Sequence, residues 1–285
     1  MSPAFLLAAL LLAPPGPIPI GKGEIEVTVN DVPLTVYTYR PKDYTDGPLI
    51  MVFHGVLRNA DEYRDHASGM GDRFRALIAA PKFDDVRFPK QRYQQAGIMD
   101  QHGAARADHE RTGAFIPKIV AKIREREQRE TLPYYLIGHS AGGQFLMRTS
   151  AFVDTGAARI VAANPGTDLF PVPDAAYPLG FGGLPAELAS DRQLRHYLAQ
   201  PLTLYLGSGD IVRDEYLDVS PESDLQGKTR WERGQNAYAT AKRLAAEKGW
   251  TFNWRLVVAD GVDHDHEKMF NNPACADALF GPPSK

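Results

Sequence analysis

Cysteine occurs once in the 285 residues, at Cys275, so no disulfide within the chain and no multi-cysteine metal site can form. Neither sign of charge dominates: 32 Lys and Arg stand against 35 Asp and Glu, a formal charge of -3. That balance gives no broad cationic field, which argues against nucleic acid as a partner. The eight histidines shift it only modestly on mild acidification. Apolar runs of transmembrane length are also missing. The stretch AFLLAALLLA, residues 4–13, is too short to cross a bilayer but has about the length of the apolar core of a secretory signal. The breaker-rich PPGPIPIG follows it, although no Lys or Arg precedes it and no small-x-small site closes it. The expectation is a signal segment over residues 1–20 and export to the periplasm or beyond, with a cytoplasmic chain as the alternative.

What is present points to one large unit over residues 21–285, without a low-complexity linker or a fixed-period repeat. With 44% apolar residues, the chain can bury one sizeable core. The stretches 24–30 and 33–39 alternate apolar and polar residues and predict a hairpin joined at Asp31–Val32. PLIMVFHG, 48–55, is instead continuously apolar, as in a strand covered on both faces. Similar runs at 76–80, 133–138, 159–164, 202–207 and 253–259 bring the expected strands to eight. Between them, Phe115, Ile116, Ile119, Val120 and Ile123 recur at helical spacing over 115–127. Two further helices are expected over 143–156 and 233–249. Alternating strands and helices predict an α/β fold with a mostly parallel sheet between helical layers and an added antiparallel edge.

Within that alternation, GHSAGG at 138–143 falls where a strand gives way to a helix. Gly138 and Gly142 relieve crowding at a sharp turn and leave the Ser140 hydroxyl exposed as a candidate nucleophile. The alternative is a small residue in a structural turn. A serine needs a base, and the base needs an orienting partner. His264 follows the last strand by one short glycine-containing loop, His266 competes for the same role, and His139 adjoins the serine without pointing at it by adjacency alone. For the acid, Asp210 sits in the small-residue turn after LTLYLG, whereas Asp214, Glu215 and Asp218 lie farther into a polar excursion.

An oxyanion site needs donors. The backbone N–H of Ala141, directly after the serine, is the first candidate. A second is expected from HGVLRNADEY, 54–63, at Val56, with Leu57 as the alternative. His54 suits shaping that loop better than moving a proton, and Asn59 and Asp61 suit local bonds to the backbone.

Through HGVLRNA, GHSAGG, LGSGD and GVDHDH, the chain resembles the α/β-hydrolase superfamily over most of residues 24–281, in the chain order nucleophile, acid, base. It looks closest to a bacterial branch related to polyhydroxyalkanoate depolymerases and feruloyl-esterase-like proteins. HGVL lacks the multiglycine run of one large lipase class, and cysteine pairs found in many secreted esterases are absent. The resemblance implies a three-layer sandwich around a roughly eight-stranded sheet. It also implies a serine hydrolase using Ser140, Asp210 and His264, with no metal or organic cofactor. The expected reaction is hydrolysis of a small-molecule or oligomeric carboxylic ester through an acyl-enzyme. A serine amidase or peptidase and a noncatalytic binding protein are the alternatives.

Two excursions, 164–185 and 212–231, are expected to cover the substrate, with Phe170, Tyr177, Phe181 and Trp231 as candidate contacts or as packing onto the body. Arg87, Arg92 or Tyr93 in 84–97 are candidates for a rim, set against a solvated loop. The run DHDHE, 263–267, holds carboxylates and imidazoles that suit a divalent ion, but alternating neighbours do not converge by themselves, and a metal would compete with a neutral His264.

Overall fold

The computed structural model describes residues 16–282; residues 1–15 of the expected signal segment 1–20, including the apolar stretch at 4–13, lie outside the described residues. Eight strands form one sheet: β1 (Gly21–Val29), β2 (Val32–Arg40), β3 (Leu49–Phe53), β4 (Leu77–Pro81), β5 (Tyr134–His139), β6 (Arg159–Ala163), β7 (Leu202–Gly207) and β8 (Arg255–Ala259). Their spatial order is β1-β2-β4-β3-β5-β6-β7-β8. The pairs β1–β2 and β2–β4 are antiparallel, and every later pair is parallel. The expected antiparallel edge on a mostly parallel sheet is therefore what forms. The hairpin loop is Asn30–Asp31, one residue earlier than expected, because Val29 pairs with Val32. Both loop residues have positive φ, the conformation a two-residue hairpin turn demands and one that Asn and Asp tolerate.

Helices cover both faces: α1 (Ala60–His66), α2 (Ser68–Phe74), α3 (Phe115–Glu127), α4 (Ala141–Phe152), α5 (Asp191–Ala199), α6 (Pro221–Asp224), α7 (Arg230–Lys248), α8 (His266–Asn271) and α9 (Ala274–Phe280). The period-two alternation of β3 divides the core. Leu49, Met51 and Phe53 pack into one cluster with α3, α4, α5 and α7, while Ile50 and Val52 pack into another with α1, α2, α8 and α9. The stripe of five apolar residues on α3 is buried in full, each side chain contributing about 2 kcal/mol of hydrophobic stabilisation. Cys275 lies in the second cluster, its thiol 3.7 Å from Met70 Sδ and pushed up to about 12 by burial. No described helix is long and apolar enough to cross a membrane.

The excursion at 164–185 is pinned by two fully buried arginines. Arg148 donates to the Pro178 carbonyl at 2.8 Å and to Thr167 Oγ1 at 3.0 Å. Arg233 donates to the Gly166 carbonyl at 2.7 Å and to the Asp218 carbonyl at 2.7 Å, tying the second excursion to the first. The segment 84–97 is not a solvated loop. Its Phe88 and Tyr93 are buried, and the Tyr93 hydroxyl donates to the His54 carbonyl at 2.8 Å.

Candidate active site

The apolar strand β5 runs straight into the glycine-rich turn, and Ser140 is the residue between strand and α4. It takes φ 56° and ψ -116°, a positive φ costing a non-glycine residue about 1–3 kcal/mol. Two close approaches hold it there. A Cβ at Gly142 would collide with the Phe53 carbonyl at the end of β3, and one at Gly138 would collide with the backbone of Gly142. Only glycine lets the first turn of α4 sit against the two strand ends. The Ser140 N–H donates to the Ala163 carbonyl at 3.0 Å, which fixes the turn to β6 as well. α4 begins at Ala141 rather than at 143, so its first N–H groups surround the serine.

Ser140 forms part of a cleft of about 510 Å³ whose walls include Val56, Leu57, Tyr63, Tyr216 and His264. Val56 and Leu57 are exposed at its edge. Neither the Val56 N–H nor the Ala141 N–H is spent on a backbone acceptor among the described residues. Both remain available to a ligand oxygen.

Asp210 and His264 meet across two loops. His264 Nδ1 lies 2.7 Å from Asp210 Oδ2, with the carboxylate almost fully buried and the imidazole about one-fifth exposed. The loops after β7 and β8 are zipped by Ser208 N–H to the Ala259 carbonyl at 3.1 Å and Gly209 N–H to the Val262 carbonyl at 2.9 Å. Gly207 must be glycine, since a Cβ there would strike the Val262 carbonyl. Asn164 bridges both: its Oδ1 accepts the Gly207 N–H at 2.7 Å and its Nδ2 donates to the Asp263 carbonyl at 3.2 Å.

Behind the pair lies Arg230, fully buried at the start of α7. Its Nη1 is 3.5 Å from Asp210 Oδ1, and the guanidinium grips Asp214 through two bonds of 2.7 and 2.8 Å. A buried carboxylate needs such compensation. The hydrogen bond from Arg230, followed by its charge, lowers the Asp214 carboxyl below the usual range against the opposing effect of burial.

The other histidines have different surroundings. His54 is buried, pushed down to about 3 by desolvation, and accepts the Phe83 N–H at Nε2. Its Nδ1 then donates to the Gly55 carbonyl at 3.0 Å, so the side chain shapes the Val56 loop. His139 is buried and held well below its ordinary value, first by burial and then by the charges of His264 and His266. His266 turns away from Asp210, stacking on Tyr63 with ring centres 4.0 Å apart and 3° between planes. Its imidazole is pushed down to about 4, chiefly by burial. Among the described residues no hydrogen bond joins the Ser140 hydroxyl to His264; the two share the cleft, an arrangement common before substrate binds.

Of the two readings left open for the aromatic residues of the excursions, the structure shows their packing. Phe181 is buried between Phe152 and Tyr197, and Tyr177 lies edge-on to Phe152 with its hydroxyl donating to the Gln95 carbonyl. Phe170 and Trp231 pack against the main core. None of the four lines the Ser140 cleft. Tyr93 is core rather than rim, and Arg87 is occupied by Asp84 at 2.6 Å. The carboxylates and imidazoles of 263–267 do not converge on one point; Asp263 instead pairs with Lys268 at 3.1 Å. Sequence reasoning missed Arg230, Asn164 and Tyr63. Only Tyr63 had a local signal, one helical turn after Asn59 at the start of α1.

No family model matches the chain, and no curated protein matches it. Solved structures do. Poly(aspartic acid) hydrolase-1 from Sphingomonas sp. KT-1 is 31% identical, with 88% of this chain and 96% of that chain covered at a TM-score of 0.82. LpqC, a poly(3-hydroxybutyrate) depolymerase from Bordetella parapertussis, is 34% identical, with coverages of 90% and 89% at the same TM-score of 0.82. Siderophore hydrolase EstB from Aspergillus nidulans, 13% identical, shares the fold at a TM-score of 0.55 over 99% of this chain and 98% of that one. Two relatives above 30% identity over nearly their whole length, on a sheet of this order, establish that the chain belongs to the α/β-hydrolase family of esterase- and depolymerase-like serine hydrolases.

Proposed function

We propose that Ser140 is the nucleophile, His264 the general base and Asp210 its orienting acid in the hydrolysis of a carboxylic ester. The observation that carries this reading is the 2.7 Å Asp210–His264 bond on the wall of the cleft that also holds the strained Ser140 turn. His264 takes the Ser140 proton as the hydroxyl attacks the ester carbonyl. The oxyanion so formed accepts from the N–H groups of Ala141 and Val56. His264 then protonates the leaving alcohol, and water repeats the sequence on the acyl-enzyme to release the acid.

The relatives' names divide between a polyester and a polyamide acid. The cleft favours the first: Glu62, Asp214 and Glu215 all line it, and of these Asp214 is paired with Arg230. A polyanionic chain would meet like charge there, whereas a neutral oligomeric ester would not. Matched ester and amide substrates decide the point. The proposal predicts a clear ester preference and weak turnover of aspartate oligomers; preferential amide cleavage would reverse the assignment. Failure of Ser140 to react with a fluorophosphonate in folded protein would favour a noncatalytic protein instead.

Export is proposed separately, on the sequence of residues 4–13 alone. Intact-mass analysis of cell fractions tests it: a processed product outside the cytoplasm supports export, and a cytoplasmic chain retaining those residues rejects it.

A further inference from the structure

Beside the Asp210–His264 pair, α1 and α8 bring together three side chains that the reaction does not use. Glu62 and His66 are one turn apart on α1, so they share a helix face. His266 opens α8 and faces them. His66 Nδ1 lies 2.8 Å from His266 Nε2, and that same Nε2 lies 3.9 Å from Glu62 Oε1. One nitrogen or oxygen from each residue falls within 4.8 Å of the other two.

Each donor is also oriented from behind. Asn59 Nδ2 donates to Glu62 Oε2 at 2.6 Å and leaves Oε1 toward the histidines. The far nitrogen of His66, Nε2, faces Glu267 Oε2 at 3.6 Å, which puts a carboxylate on the side of the ring away from His266. The His266 ring is fixed by its stack on Tyr63. The cluster is partly open: side-chain exposure is 48% for Glu62, 28% for His66 and 17% for His266.

We propose that Glu62, His66 and His266 form a binding site for a first-row transition-metal dication, Zn2+ foremost, that regulates the neighbouring catalytic centre. Two imidazoles and one carboxylate suit such an ion and not Mg2+ or Ca2+, which take oxygen ligands. Tetrahedral zinc with ligands at about 2.0–2.1 Å separates two nitrogens by about 3.3 Å. The histidines therefore need to part by only about half an ångström, and a fourth position is left for water.

The consequence for turnover follows from placement. Glu62, His66 and His266 line the same recess of about 500 Å³ as Asp210 and His264. Parting His66 and His266 moves the loop that also carries His264, two residues earlier, and with it the 2.7 Å contact to Asp210, so Zn2+ slows hydrolysis. That consequence rests on His264 being the base; the binding does not.

Equilibrium dialysis of the full chain against Zn2+, with thermal melts and the visible spectrum of the Co2+ form, separates the two. The wild type is expected to bind one ion per chain with a rise in Tm and a ligand-field spectrum. His66→Ala and Glu62→Gln are expected to bind at least about tenfold more weakly and to lose the spectrum. His102→Ala, on a distant exposed loop, is expected to match the wild type. Circular dichroism checks that the variants are folded, and the exposed Glu62 supplies a variant with little to disturb. No binding by the wild type, or equal binding by the wild type and both variants, would overturn the site. Binding that leaves ester hydrolysis unchanged would overturn the regulatory half. In a chain inactive on every ester, dialysis and the Co2+ spectrum would still decide whether the three residues hold the ion.

Discussion

His264 and His266 leave the same loop after β8, separated by one aspartate, and face different walls of one cleft. His264 has a buried carboxylate at 2.7 Å, backed by Arg230, and keeps its other nitrogen for the cleft. His266 is stacked flat on Tyr63, bonded to a second imidazole, and pushed down to about 4 by burial. Residue type and sequence position hardly distinguish them. The partner does: a carboxylate favours the imidazolium that proton transfer creates, whereas desolvation and a neighbouring imidazole disfavour it.

Replacing each histidine in turn is the strongest test of that difference. Ser140→Ala and His264→Ala are each expected to lower kcat on a small ester by on the order of 10⁶-fold, the loss seen when a member of such a unit is removed. His266→Ala is expected to stay within about a hundredfold of the parent, the lower bound of what a general base contributes. Initial rates together with phosphonate labelling measure both, and reversal of the two histidine effects would exchange their roles.

The carboxylate beside His264 depends in turn on a buried cation. Arg230→Met leaves Asp210 and Asp214 without their buried guanidinium and is expected to destabilise the fold by about 3 kcal/mol. Urea unfolding at neutral pH reads it. An unchanged midpoint would mean that Arg230 does not support Asp210 and Asp214.

Acidification tests the neutral wall. Burial pushes His54 to about 3, His266 to about 4 and His139 well below its usual value, against about 6.5 in an unfolded chain. Between about pH 6.5 and about pH 4 the unfolded chain binds protons that the folded chain refuses, so stability falls as pH drops through that window. Asp168 works oppositely. Burial raises its carboxyl from 3.8 to about 7, so its contribution grows as pH falls through that range, one group against three. Urea midpoints at about pH 7.5 and about pH 5 are expected to be lower in acid, and less so in His266→Phe. A midpoint that rises in acid would contradict the neutral, buried reading of these imidazoles.

Much of this architecture was legible because it is written in local patterns. The α3 stripe and the continuous runs of β3 and β7 are periodicities visible within a few residues, and they set the layers. Helices α1, α2, α8 and α9 escape such a reading, since each has only six or seven residues, too few for a period of 3.6 to declare itself. At the site, Ser140 and Asp210 stood out through small residues at strand ends, and His264 did so with His266 still competing for its role. Asn164 acts on positions 43 and 99 residues away and Arg230 on one 20 away, so no local pattern marks either. The aromatic residues of 164–185 were legible as apolar, with contact and packing both left open, because the buried Arg148 and Arg233 that anchor that segment lie outside it.

The central claim is that Ser140 is the nucleophile and His264, held by Asp210, its base. A structure of the protein after reaction with a small organophosphonate tests it most directly. The account predicts phosphorus on the Ser140 oxygen and a phosphonyl oxygen facing the N–H groups of Ala141 and Val56. It also predicts the His264 imidazole beside the serine with Asp210 behind it. Phosphorus on another residue, or His266 turned from Tyr63 to stand against Ser140 while His264→Ala still labels, would contradict it.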